Sequence, residues 1–418
     1  MEALTTPITS LADSSALTKL ANQYGTPLYV YSADQFLANW QAFNTAISHR
    51  PGHICYAVKA NSNLSILKLI ADQKGHFDIV SGGELMRVLR AGGLAEHTVF
   101  SGVAKQVWEI DLALNSGIGC FNVESEAELK RIESRAQTLG KIAYIAIRIN
   151  PNINPNTHPY ISTGFKENKF GIESKQAKQL YQYAHQSAAL SIKGISCHIG
   201  SQLLDPKPQQ ESAEKLLQLT AELEQMNIFI EHIDLGGGLG VTYENEKPPH
   251  INDYVRGIID IIPEKYQIVL EPGRSIAANS GVLLTRVEYL KKTADKHFAL
   301  VDAAMNDLIR PALYGAYHHI SVISEAAKQA QTFDVVGPVC ESTDFFGKDR
   351  ELPIGENSIL CIHSAGAYCM GMASNYNARP LAAEVLLTGD QHRLVRQRQT
   401  FDDMLQSELQ GLDNTPML

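Results

Sequence analysis

The chain has 418 residues, of which 44% are hydrophobic, 19% charged and 7% aromatic, a balance that excludes a disordered or fibrous polypeptide. Lys and Arg number 36 against 45 Asp and Glu, giving a formal charge of -9 with no basic block, so nucleic acid is not an expected partner. This length predicts two or three folded units with a sizeable core.

Residues 1–30 include the strand-like PLYVYS and precede a long alternating region. Its β-branched runs are ICYAVK (54–59), FDIV (77–80), TVFS (98–101), CFNV (120–123), IAYIAIRI (142–149), GISCHI (194–199), EHIDL (231–235) and QIVLE (267–271). Between them, apolar positions such as Leu64, Leu67 and Ile70, or Leu129 and Ile132, recur at helical spacing and bury one stripe. Gly75, Gly92, Gly93 and Gly140 stand where those helices should stop. Eight strands, each but the last followed by a helix or long loop, fit a TIM-like α/β barrel over 31–275 better than a doubly wound sheet. After Ser275 the runs VLLTRVEYLKK, HFALVDAAM, TFDVVGPVC, SILCIHSAGAY and HRLVRQRQTF read as strands with little helical periodicity. Residues 1–30 and 276–418 are therefore expected to form a second, β-rich domain.

No apolar run approaches the ~18 residues of a membrane span, and MEALTTPITSLADSS has neither the basic nor the apolar region of a secretion signal. No membrane partner is expected. Cys55, Cys120, Cys197, Cys340, Cys361 and Cys369 lie far apart without a CxxC pair, so neither a metal site nor a disulfide framework is expected. Reduced thiols in a cytoplasm are the corresponding reading.

In such a barrel, working residues gather at the carboxyl ends of the strands. Lys59 ends the first run, where desolvation would turn its amine into a nucleophile for Schiff-base chemistry; a lysine snorkelling to solvent is the bland alternative. Asp78 lies in the second run, Arg148 ends the fifth and His198 the sixth. A flat His198 ring could stack on a cofactor or simply fill the core. Asp234 and the Gly236–Gly237–Gly238 run follow the seventh, and with Ser201 in HIGSQ they suggest a phosphate cup, or else an ordinary turn. Glu271 ends the eighth, where a buried carboxylate could keep a pyridine nitrogen protonated, or could pair with Arg274.

Taken together, YAVKAN, FDIVSGGEL, THPYISTG, KFG, HIGSQ, DLGGGLG, EPGRSI, IRPALYGAYH, GPVCESTDFF and GAYCMGMASNYNARP resemble the diaminopimelate decarboxylases. These are pyridoxal-phosphate enzymes of the alanine-racemase-like barrel type. Single pieces are shared with ornithine and arginine decarboxylases, whereas THPYISTG, GPVCES and SNYNARP together are far more specific.

The resemblance implies decarboxylation of meso-diaminopimelate, a small amino acid, to L-lysine and carbon dioxide as the last step of lysine biosynthesis. It implies that Lys59 holds pyridoxal 5'-phosphate, His198 stacks on its ring and Glu271 pairs with its nitrogen. Ser201, Gly237, Gly238, Gly273 and Arg274 would hold the phosphate, with Asp78 and Arg148 beside them and Tyr368 reaching both phosphate and substrate. Arg274, Arg310 and Tyr314 would grip the far carboxylate, and Glu341 the far ammonium. Cys340 would reprotonate the carbanion, with Lys59 as rival. Cys340 and Glu341 would come from the partner of a homodimer with shared active sites. The THPYISTG loop has the composition of a mobile lid.

Overall fold

The computed structural model describes residues 13–153, 169–324 and 329–413. THPYISTG lies outside the described residues. Two compact units share the chain: Phe36–Thr242 with Glu246–Ala277, and Met1–Gln35 with Tyr243–Asn245 and Ala278–Leu418.

Helix Ser14–Tyr24 leads into β1 (Leu28–Ser32), a strand of the second unit. The first unit is a closed parallel barrel of β2 (Gly52–Ala57), β3 (His76–Ile79), β4 (Thr98–Phe100), β5 (Cys120–Val123), β6 (Ala143–Arg148), β7 (Leu190–Ser196), β8 (His232–Asp234) and β9 (Gln267–Leu270). Closure is made by β9 against β2, where Gly52 faces Ile268 and Ile54 faces Leu270. The strands are mostly buried, as parallel strands covered by helices must be. Helix Glu126–Leu139 shows how the connectors are specified. Ser125 caps its start by accepting from the Glu128 amide, Leu129, Ile132 and Ala136 are buried, and Gly140 ends it in the left-handed region at φ 62°.

Two strand ends differ from the sequence expectation. Lys59 sits one residue inside a short 3-10 turn, Val58–Ala60, rather than in β2. β7 begins at Leu190 and stops at Ser196, which leaves His198 in the loop beyond it. Its half-buried Ser191, Ile192 and Lys193 lack the apolar signal that marks its later residues.

The second unit is a nine-stranded sheet of β1 with β10 (Gly281–Lys292), β11 (His297–Val301), β12 (Ile320–Val322), β13 (Gln331–Val336), β14 (Phe345–Leu352), β15 (Ile359–Ile362), β16 (Ala383–Thr388) and β17 (Gln391–Arg396). The main path runs β14-β13-β11-β10-β1-β16-β17, with β15 joining β10 to β12. Its core sets Leu17, Leu20 and Ala21 of helix Ser14–Tyr24 against Leu28, Val282, Leu284 and Val385. β16 carries strong helix formers, and its pairing with β1 and β17 overrides that preference. The charged stretch of β14 hides it from an apolar pattern search. No described helix is long and apolar enough to cross a membrane.

At the amino ends of the barrel strands, His53, His76 and His97 form a ladder of rings, with centroids 4.1 Å apart at each step. Burial, then the neighbouring rings His53 and His97, pushes His76 down to about 3. Its folded value thus lies below its unfolded value. The stabilisation is full above the unfolded value of about 6.5 and is lost as pH falls below it. His76→Phe keeps an apolar ring in the stack and removes the titration. At about pH 5 the wild type should have lost about 1–2 kcal/mol that the variant retains, read as a smaller drop in melting temperature. Equal drops in both proteins would contradict the effect.

Candidate active site

The carboxyl ends of the barrel strands bring most of the predicted polar residues into one mouth. Val58 and Ala60 are buried, and between them Lys59 turns its Nζ to within 2.8 Å of Asp78 Oδ2 in β3. The Lys59 side chain keeps 37% of its surface exposed, whereas that of Asp78 keeps none. Desolvation therefore falls on the carboxylate, and the ammonium is paired rather than stripped. Asp78 Oδ1 is buried without a hydrogen-bond partner among the described residues. Nearby, Glu84 accepts from the Val80 amide at 2.7 Å, and burial pushes its carboxyl up to about 7.

Beneath the mouth lies a second polar group. Asn122 of β5 donates to Asp234 Oδ2 at 3.0 Å, to Ser101 Oγ at 3.1 Å and to Glu271 Oε1 at 3.4 Å. Ser101 also donates to Glu271 at 3.4 Å. Burial, with the Asp234 and Asp78 charges adding to it, lifts the Glu271 carboxyl well above the usual carboxylate range. Its side-chain hydrogen-bond partners among the described residues are Ser101, Asn122 and Asp234, none of them a cation. Arg274 instead donates through Nε to Ser201 Oγ at 3.0 Å.

A third group holds the His198 ring. A side chain on Gly236 would collide with His198 Nδ1 at 2.7 Å, so the ring lies directly over that glycine. The neighbouring Gly237 brings its Cα side against the Glu271 carbonyl, where a Cβ would stand only 2.3 Å from the oxygen. Arg148 donates to the His198 carbonyl at 3.3 Å and pairs with Glu124 at 2.6 Å, while Glu124 also accepts from the Gly171 amide at 2.7 Å. Arg148 thus supports the loop that carries His198. Loss of water, then the Arg148 and Lys59 cations, hold the His198 imidazole well below its ordinary value, so the ring is neutral.

In the second unit Arg310 is buried, only 6% exposed, at the start of helix Arg310–Tyr314. Its Nη1 meets His318 Nε2 at 2.8 Å, and its guanidinium lies 4.4 Å over the Tyr243 ring. Tyr314 follows on the same helix. Cys340 is the exposed cysteine, while the other five are buried. Its amide donates to Asn377 Oδ1 at 2.9 Å, and Glu341 accepts from the Tyr376 hydroxyl at 2.5 Å. Tyr368 adopts φ 57°, a conformation costly for a side chain with a Cβ. Ser101, Asn122, Glu124 and His318 were not singled out from sequence. Each is a polar residue in or beside an apolar strand or helix, and only the closed fold shows what it faces.

Residues 33–278 match the family model of the pyridoxal-dependent decarboxylases, in its pyridoxal binding domain. The chain is 50% identical to the diaminopimelate decarboxylase of Neisseria meningitidis serogroup B over 392 residues, covering 94% of this chain and 95% of that protein. It is also 50% identical to the Vibrio cholerae diaminopimelate decarboxylase over 395 residues, covering 94% of this chain and 95% of that protein. The chain belongs to the diaminopimelate decarboxylase family. The crystal structure of the Helicobacter pylori family member complexed with L-lysine superposes with a TM-score of 0.92 at 45% identity, covering 94% of this chain and all of that one. Family membership agrees with the barrel-plus-sheet architecture and with an enzyme of the pyridoxal-dependent decarboxylase type.

Proposed function

We propose that this chain converts meso-diaminopimelate to L-lysine and carbon dioxide, using pyridoxal 5'-phosphate held in the barrel mouth. The observation that carries the reading is Glu271, a buried carboxyl whose side-chain hydrogen-bond partners among the described residues include no cation. A protonated pyridine nitrogen would be a cation hydrogen-bonded to such a carboxyl. The rest of the mouth fits the same group. Lys59 offers an amine, the neutral His198 ring offers a flat face, and Ser201, Gly237, Gly238, Gly273 and Arg274 offer donors for a phosphate.

When bound, pyridoxal phosphate supplies a conjugated ring that accepts the electron pair left when the substrate carboxylate departs as carbon dioxide. The chain's own residues position and protonate. Lys59 provides the attachment point, and Asp78 holds its ammonium in place at 2.8 Å. Arg148 and Glu124 keep the His198 loop fixed. The carbon that loses its carboxylate must gain one proton, and Cys340 is assigned as its donor, with Lys59 as the rival. Arg274, Arg310 and Tyr314 bind the far carboxylate, Glu341 binds the far ammonium, and Tyr368 reaches phosphate and substrate. A clamp at the far end fixes the orientation of the bond to be broken.

The working unit is read as a homodimer in which Cys340 and Glu341 serve the partner's site, a reading supported by their exposure on the single chain. Free thiols suit a reducing, cytoplasmic setting. Ornithine and arginine lack a far carboxylate, so the clamp discriminates against them. Arg310→Ala should raise KM for diaminopimelate by about a hundredfold, the cost of losing a charge-assisted fork. An unchanged KM would remove Arg310 from the substrate site.

A further inference from the structure

We infer that His318 is a positioning residue for substrate, fixing the Arg310 guanidinium through a neutral acceptor so that its charge stays available to a substrate carboxylate. The inference rests on the assignment of Arg310 to the far carboxylate.

A buried guanidinium ordinarily has a carboxylate beside it, because an unpaired charge out of water is costly. Arg310 is 6% exposed, yet among the described residues its side chain has no acidic partner. Its contacts are one imidazole nitrogen and one aromatic face, and its remaining N–H groups make no hydrogen bond to the described residues. A cation left in this state is built to meet an anion from outside the chain.

The tautomer of His318 follows from its surroundings. His318 Nδ1 lies 2.8 Å from the His363 carbonyl oxygen, which can only accept, so Nδ1 carries the hydrogen. Nε2 then presents its lone pair to Arg310 Nη1 at 2.8 Å. A protonated imidazole would set N–H against N–H there. The carbonyl that selects the tautomer is itself held, since the His363 amide donates to the His319 carbonyl at 2.9 Å and the His363 ring meets Ser321 Oγ at 2.7 Å. His318 has no exposed surface and also packs edge-on to Tyr243, with centroids 5.3 Å apart. The guanidinium is therefore oriented by a hydrogen bond and a ring face, neither of which cancels its charge. An aspartate or glutamate in the place of His318 would orient it equally well and occupy the charge that the substrate needs.

The test uses the cofactor-loaded enzyme and three variants. His318→Gln keeps an acceptor near the position of Nε2. His318→Asn keeps a donor near Nδ1 but offers Arg310 nothing, and His318→Phe offers neither. KM for diaminopimelate should rise about tenfold or more in the Asn and Phe variants, with a smaller fall in kcat, while Gln returns KM to within about threefold of the wild type. A purely structural role would not separate Gln from Asn in this way. Unchanged KM in Asn and Phe, or Gln as impaired as Asn, would overturn the inference. Arg310→Ala measured in parallel separates the two failures. If its KM is normal, the Arg310 assignment falls and His318 with it. If its KM rises while the His318 variants bind normally, only the role of His318 falls.

Discussion

Lys59→Ala should abolish lysine formation, with a loss on the order of ten-thousand-fold or more, because Lys59 is the amine assigned to hold the cofactor. The substitution also strips Asp78 of the ammonium 2.8 Å away and leaves a fully buried carboxylate uncompensated. Water reaches the Lys59 end of the pair, so the cost falls below the about 3–5 kcal/mol of a fully buried pair, yet it is large enough that an inactive Lys59→Ala protein could be merely unstable. Lys59→Arg separates the causes. It keeps a cation opposite Asp78 but provides no nucleophilic amine, so the melting temperature should recover while activity does not. Activity surviving in Lys59→Arg would contradict the assignment. Lys59→Ala also examines the shared site. Mixed with inactive Cys340→Ala after subunit exchange, Lys59→Ala should regain activity at up to about a quarter of the sites, the share expected for random pairing in a two-fold dimer. No recovery after proven exchange would place Cys340 outside the partner's site.

Glu271→Gln should lower kcat on the order of a hundredfold while the protein stays folded and takes up cofactor. The amide oxygen can still accept from Ser101 and Asn122, both 3.4 Å from Oε1 in the wild type, so packing and most hydrogen bonding are retained. What disappears is the acid. Burial and the Asp234 and Asp78 charges favour the protonated form of Glu271, and a glutamine can neither lend a proton to a ring nitrogen nor carry the resulting charge. A kcat within about twofold of the wild type would show that the ring nitrogen is served by another group.

How far the site was legible follows the distribution of its residues. Lys59, His198, Asp234 and Glu271 interrupt or end apolar runs, where a polar residue stands out, and the strand ends of a barrel converge by topology. Asn122 was hidden because CFNV reads as an ordinary buried strand; its meeting with Glu271, 149 residues away, exists only once β9 closes on β2. His318 was hidden for a similar reason, since its acceptor role depends on a carbonyl 45 residues further along. In the second unit, the charged stretch of β14 and the helix formers of β16 obscured both strands, which were specified by their neighbours instead. Helix Phe401–Asp413 was overlooked after a run of strands, although its acidic first turn at Asp402 and Asp403 is a helix-start signal.

The most direct measurement is product formation by the purified protein loaded with pyridoxal phosphate, scoring lysine and carbon dioxide from meso-diaminopimelate with ornithine and arginine in parallel. Lysine and carbon dioxide from diaminopimelate alone, absent with Lys59→Arg, is the predicted result. Turnover of ornithine or arginine in its place, or no turnover of diaminopimelate by protein that has taken up the cofactor, would contradict it.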